Sequence, residues 1–377
     1  MNHHGPVHDA DVDSHMSEDI PARFRLSTYL YRLSAELIAQ EPKSTRDQSR
    51  LLVLHKGTGE LECKLFRDLP SLLTPSDLLV INETRVTPAS LIARKSTGGR
   101  VEILVLDPAA SSNDRNLGHT AVRTCMTQSS KALRRGTTVM LESGQELFVE
   151  EIIVSGRAKI RFPVPEAQFL SFLDKHGRAP LPPYIKDSNR DLGRDRLRYQ
   201  TVYATVPGSV AAPTAGLHFS EKLLAELEAK GIETARIVLH VGPGTFTPVR
   251  QEDIRLHAME SEYYEISDEA AKQINTAVDA KRRVIAVGTT TARALESAAT
   301  STGGVQSGQR STDLFIYPGY IFRVVQGLIT NFHLPGSTLL MLVCAFGGIN
   351  RVLAAYQNAV KDKFRFYSYG DACIIID

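Results

Sequence analysis

The chain has 377 residues, 42% of them hydrophobic and 23% charged, which is the composition of a folded protein rather than of a disordered one. Its length exceeds what one core usually organises, so two domains are expected. A formal net charge of +2 is too small to announce a nucleic-acid binder. Four scattered cysteines with no C-x-x-C pair argue against a zinc ribbon or disulfide framework and point to a reducing cytoplasm. No apolar run is long enough to span a bilayer.

In chain order, residues 1–23 are rich in His, Asp and Ser and read as a disordered extension, with His3, His4, His8 and His15 assigned no metal site. LSAELIAQEP places Leu33, Leu37 and Ile38 on one face of a short helix that Pro42 stops. From about Glu60 to Phe162, β-branched runs such as DLLVINETRV, GRVEILVLD and RAKIRF alternate with Gly, Asp and Asn clusters, which suggests a small barrel. SSNDRNLG at Ser111–Gly118 reads as an exposed loop within it. Beyond Pro165 the texture becomes α/β. Helices are expected at Glu166–His176, Ser220–Lys230, Asp268–Lys281 and Thr290–Ala299, with strands at Ala235–Leu239 and Val284–Gly288.

Four segments of this second half lack any apolar period. The stretch from Ala211 to Ser220, AAPTAGLHFS, forms a loop shaped by Pro213 and Gly216 that presents Thr214, His218 and Phe219. In Leu239–Val249, LHVGPGTFTPV, Gly242 and Gly244 allow close backbone approach to a ligand or simply an ordinary turn, and Pro248 opposes the helix that a dinucleotide loop needs. His240, at the end of an apolar strand, reads as a satisfied core histidine. In Val287–Ser297, VGTTTARALES, a strand gives way to a helix at Thr289 and Thr290, a start that suits an anionic or ribose-like ligand or serves only as a cap. Arg293 and Glu296 follow on neighbouring faces, turned to the site or paired at the surface. In Thr330–Val343, TNFHLPGSTLLMLV, His333 sits like His218 among turn-forming and aromatic residues, where either ring can exchange a proton near neutral pH. No H-E-x-x-H or G-x-S-x-G occurs, so neither a metal nor a serine elbow is expected. The stretch Lys186–Arg198 carries Arg190, Arg194, Arg196 and Arg198 ahead of Tyr199 and Tyr203. It can track RNA phosphates with a tyrosine for stacking, or be a solvated, salt-bridged loop.

PLPPYI at Pro180, RYQTVYA at Arg198, SYGDA at Ser368, DLLVINETRVTPA at Asp77 and the four segments above together resemble the S-adenosylmethionine:tRNA ribosyltransferase-isomerase family, in order from about residue 30 to the C-terminus. The resemblance implies a large mixed α/β domain, residues 24–80 and 165–377, with an inserted small β-barrel domain, residues 81–164. It implies transfer and isomerisation of the ribosyl moiety of S-adenosylmethionine onto the aminomethyl group of 7-aminomethyl-7-deazaguanine at the tRNA wobble position. The products would be epoxyqueuosine-tRNA, adenine and methionine. S-adenosylmethionine is then a consumed co-substrate, with no bound cofactor, and tRNA is the partner of a cytoplasmic monomer.

On that basis His218 or His333 removes the proton that the sulfonium acidifies on the adjacent ribose carbon. Phe219, Phe246 and Phe332 are candidate faces for the sulfonium, Thr289, Thr290 and Arg293 for the methionine carboxylate, and Glu296 for a ribose hydroxyl or the amino group. Glu260 stands where the family usually has a histidine, which leaves it outside the expected catalytic set. A methyltransferase, releasing S-adenosylhomocysteine, and a non-catalytic RNA-binding protein are the competing expectations. The missing dinucleotide-type loop and the mild charge weigh against them.

Overall fold

The computed structural model describes residues 20–109, 120–185, 191–246 and 248–377. The expected loop at 111–118, most of the N-terminal extension and Arg190 lie outside these residues. A hairpin, β1 (Arg50–His55) and β2 (Leu61–Leu65), precedes β3 (Asp77–Asn82) and the short β4 (Thr84–Val86). Six strands then follow with no helix between them among the described residues: β5 (Ser90–Lys95), β6 (Arg100–Val105), β7 (Thr120–Ser129), β8 (Thr138–Leu141), β9 (Glu146–Val154) and β10 (Arg157–Pro165). The second half holds β11 (Val206–Ser209), β12 (Glu233–Leu239), β13 (Glu262–Ile266), β14 (Arg283–Val287), β15 (Gly308–Thr312), β16 (Gly327–Asn331) and β17 (Ala372–Ile376).

Nine of these strands form one sheet in the order β15-β13-β12-β3-β14-β16-β17-β1-β2, in which β12, β3, β14 and β16 are mutually parallel. A parallel centre is covered on both faces, so its strands read as unbroken apolar runs, and every residue of β3 is buried. Side chains alternate between the faces. Leu78, Val80, Val284 and Ala286 join one core, built with the helices Asp268–Asp279, Thr289–Ser297 and Thr338–Gly347. Leu79, Ile81, Ile285 and Val287 join the other, closed by Leu223 and Leu227 of the helix Glu221–Ala229. The apolar helix Thr338–Gly347 turns by 116° into Ile349–Lys361, and among the described residues no single helix is long and apolar enough to cross a membrane.

β5 to β10 close into a barrel ordered β10-β7-β6-β5-β8-β9, whose inward side chains alternate with outward ones: in β6, Val101, Ile103 and Val105 are buried while Arg100 and Glu102 are exposed. The helix Phe169–His176 plugs one end, with Phe169 and Phe172 edge-on to Phe162 at 4.8 and 5.8 Å. The molecule is therefore mixed α/β with an inserted barrel. Its strands begin at Ser90 rather than at residue 81, because β3 belongs to the large sheet and β4 pairs in parallel with β11.

Two local expectations are corrected. The helix expected around Leu33–Ile38 is a single 3-10 turn, Ala35–Leu37, after which Ile38 bridges to Phe366 and the segment lies as an extended arm on the core. The stretch after Asp191 is a helix, Leu192–Arg198, because the Asp191 carboxylate accepts from the amides of Gly193 and Arg194 and caps it.

Candidate active site at the carboxyl ends of the parallel strands

The carboxyl ends of β12, β14 and β16 open onto a cleft of about 630 Å³, bordered by Thr214, Val241, Gly288–Thr290, Thr330, Asn331, His333, Tyr184 and Tyr367. Ligands of open α/β sheets bind at this edge.

The loop Ala211–Ser220 reaches the cleft as a 3-10 turn, Thr214–His218. Gly216 is required by space, since a Cβ there would stand 2.1 Å from the Tyr203 hydroxyl oxygen. The helix Thr289–Ser297 starts behind Gly288, whose φ of 98° suits only glycine, and no side chain caps it. Gly288, Thr289, Thr290 and Asn331 border the cleft, and the buried Thr290 hydroxyl and Asn331 Oδ1 have no hydrogen-bond partner among the described residues. Such groups are expensive to leave dry, so they mark where a polar ligand or water belongs.

Both sequence-identified histidines are here, in different settings. His333 lines the cleft, its Nε2 lies 2.7 Å from Thr330 Oγ1, and burial lowers its pKa from 6.5 to about 3. His218 stands behind Asn331. Its Nε2 accepts from Asn331 Nδ2 at 3.2 Å, and its Nδ1 lies 2.8 Å from Ser49 Oγ, which donates on to the Arg46 carbonyl. This relay assigns the proton to Nδ1. Burial first, then the charges of Arg46 and Arg365, lower the His218 pKa to about 3. Both rings are therefore uncharged at neutral pH.

The aromatic wall is made by residues that the sequence reading did not select. Tyr184 and Tyr367 stack at 4.4 Å between ring centroids, and the Tyr184 hydroxyl lies 2.6 Å from Ser368 Oγ. Tyr367 holds φ at 71°, a conformation that bulky residues avoid, fixed by its amide on the Phe332 carbonyl and by Asn331 Nδ2 on its own carbonyl at 3.0 Å. The available signal was the tyrosine in PLPPYI and the first of the two around Ser368.

The expected sulfonium faces turn elsewhere. Phe219 is buried against Phe66 at 5.0 Å, and Phe332 packs on Tyr356, Phe364 and Phe366 in the core. Phe246 ends the turn Pro243–Phe246, and its side chain lies outside the described parts.

Arg293 and Glu296 are likewise turned away from the cleft. The Arg293 guanidinium pairs with buried Glu262 and donates to the Leu314 carbonyl at 3.0 Å, while Glu262 accepts from the Gly242 amide at 2.9 Å. This chain of contacts ties the Gly242–Gly244 loop to the helix. A Cβ on Gly244 would meet Glu260 at 2.8 Å, and Glu260 pairs with Arg157 of β10. The Glu296 carboxylate accepts from the amides of Arg323, Val324 and Val325 and from the Tyr320 hydroxyl, so it anchors a loop. His240 lies 2.8 Å from Thr84 Oγ1 and stacks on Tyr263, which makes it a packed structural histidine.

Of the basic stretch, Arg194 pairs with Glu41 at 3.8 Å and Arg196 with Asp174 at 2.7 Å. Arg198 donates to the carbonyls of Ser44 and Lys43. Tyr199 is fully buried, as is nearly all of Tyr203, so neither face is open to a base. Among the described residues no group of three or more His, Cys, Asp or Glu converges as a metal site.

A mixed sheet with a parallel centre, an inserted barrel and a polar cleft at the ends of the parallel strands define a mixed α/β protein equipped to hold a small molecule. Residues 26–375 match the family described as "Queuosine biosynthesis protein", and the chain belongs to that family. It is 50% identical, over 93% of this chain and 99% of the relative, to an S-adenosylmethionine:tRNA ribosyltransferase-isomerase of Anaeromyxobacter sp. (strain Fw109-5). It is 46% identical, over 96% and 99%, to one of Syntrophomonas wolfei. The crystal structure of S-adenosylmethionine tRNA ribosyltransferase from Thermotoga maritima superposes with a TM-score of 0.51 at 33% identity, covering 93% of this chain and 100% of that one.

Proposed function

We infer that this chain transfers and isomerises the ribosyl moiety of S-adenosylmethionine onto the aminomethyl group of 7-aminomethyl-7-deazaguanine in tRNA, releasing adenine and methionine. The observation that carries this reading is the convergence of uncharged His333, the open helix start at Gly288–Thr290 and the stacked tyrosines on one cleft, in a chain of this family. A cationic sulfonium is repelled by an imidazolium and tolerated by an imidazole, and the tyrosine faces attract it. The methionine carboxylate sits against the amides that begin Thr289–Ser297.

His333 is the proton acceptor in this account. With Nε2–H donated to Thr330, its Nδ1 presents a lone pair to the ribose carbon beside the sulfonium. Removal of that proton leaves an electron pair that drives adenine out as it takes up a proton, the aminomethyl nitrogen adds to the ribosyl fragment and loses a proton, and an oxygen of the fragment then displaces methionine as the carbon–sulfur bond breaks, closing the epoxide. His218, with both nitrogens engaged, positions Asn331, whose Oδ1 accepts from a ribose hydroxyl or from the incoming amine. S-adenosylmethionine is consumed as co-substrate without a bound cofactor, and the protein works as a cytoplasmic monomer.

The test is product identity. Purified protein with S-adenosylmethionine and tRNA carrying the aminomethyl base should release adenine and methionine in step with ribosylated tRNA. S-adenosylhomocysteine would instead mean methyl transfer, and RNA binding without product would mean a binding module.

A further inference from the structure

Behind the wall formed by His218 and Asn331 lies a second cavity of about 270 Å³. It is lined by Lys43, Arg46, Arg198, Ser49, His218 and Ser368, among others, and Ser368 borders both cavities. Three cations thus border one small space whose lining, among the described residues, holds no carboxylate. Among the described residues Arg46 donates only to the carbonyls of Leu217 (3.1 Å) and Leu197 (3.2 Å), and Arg198 only to those of Ser44 and Lys43. Among the described residues none of the three forms an ion pair within 4.0 Å, and the Lys43 ammonium has no hydrogen-bond partner at all. The neighbouring carboxylates are committed elsewhere: Glu41 to Arg194, and Asp371 to the amides of Arg50 and Arg365.

Cations packed this closely without counter-charge repel one another, and Arg46 and Arg198 each lose some hold on their protons through burial and a neighbouring arginine. Carbonyl acceptors hold the two guanidinium groups in place without neutralising them. An anion with several acceptor oxygens restores the balance, and a phosphate group offers both the charge and the oxygens.

We propose that this second cavity is a phosphodiester site, which holds a backbone phosphate of RNA beside the nucleotide that enters the cleft. The proposal rests on the tRNA-acting reading above and assigns its docking point to Lys43, Arg46 and Arg198. It also couples the two cavities, because His218 lines this one and holds Asn331, which lines the cleft.

The variant to make is Lys43→Gln in the full chain, which removes one charge and breaks no side-chain hydrogen bond among the described residues; Arg198→Gln is the second. Adenine release is measured while tRNA and S-adenosylmethionine are varied separately at several salt concentrations. The KM for tRNA should rise about three- to tenfold for each variant while the KM for S-adenosylmethionine stays within about twofold. The slope of log KM for tRNA against log salt should fall by about 0.7 per lost phosphate contact. An unchanged tRNA KM and slope in both variants overturns the proposal. So does a rise confined to the KM for S-adenosylmethionine, which would make the anion the donor's carboxylate. Should wild-type protein release no adenine, the ribosyl-transfer reading fails, and filter binding of the same tRNA by the three proteins still decides the cavity.

Discussion

Replacing Glu296 distinguishes a loop anchor from a ligand-binding carboxylate. Its oxygens accept from the amides of Arg323 (2.9 Å), Val324 (3.0 Å) and Val325 (2.9 Å) and from the Tyr320 hydroxyl (3.1 Å), and the residue is 5% exposed. Arg323 and Tyr320 are partly exposed and can turn to water, whereas Val324 and Val325 are buried. In Glu296→Ala the two buried amides lose their acceptor at about 1–3 kcal/mol each, or roughly 4 kcal/mol together. For a domain of this size that lowers Tm by roughly 5–7 °C. Glu296→Gln keeps the acceptor for Val324 and Val325 and turns an NH2 toward the Arg323 amide, so it should lose roughly half as much. The assay is thermal unfolding by circular dichroism beside the KM for S-adenosylmethionine. A Glu296→Ala protein with Tm within about 2 °C of wild type and a KM raised about tenfold would refute the anchoring argument.

The buried histidines predict a pH dependence with a definite sign. His218 and His333 fall from 6.5 to about 3 on folding, so below pH 6.5 the unfolded chain binds protons that the folded chain refuses. Their contribution is present above 6.5 and lost as pH falls toward 3; at about pH 5.5 each costs about 1.4 kcal/mol. The drop in Tm between about pH 7.5 and pH 5.5 should shrink in His333→Gln, and an identical drop in both proteins would contradict the burial of a neutral ring. Gly216→Ala puts a Cβ 2.1 Å from the Tyr203 oxygen and 2.7 Å from Thr201 Cγ2, so a loss of about 1–3 kcal/mol is expected in urea unfolding. Unchanged stability would mean that the loop shifts without strain.

The sequence resolved the layout better than the orientation of side chains. β3 and β14 were visible because continuous apolar runs bounded by polar residues suit strands buried on both faces, and the alternating barrel strands were visible by their period of two. The end of one layer and the start of the next were not, because DLLVINETRV crosses from the large sheet into β4 with no change of composition. Within the site segments, irregular composition marked His333, Thr289 and Thr290 as neighbours, and the cleft brings them together. It did not say which aromatic turns inward. Phe332 adjoins His333 yet serves the core, while Tyr184 and Tyr367 meet only through tertiary folding of distant segments. Arg293 looked available until Glu262, on β13, supplied its buried partner.

The central claim is that His333 accepts the proton in this cleft, and the direct measurement is single-turnover adenine release by His333→Gln at saturating S-adenosylmethionine and tRNA. The account predicts a rate lowered at least about 100-fold, with S-adenosylmethionine still bound. A rate within about tenfold of wild type, from a variant with native Tm, would place the proton acceptor on another group.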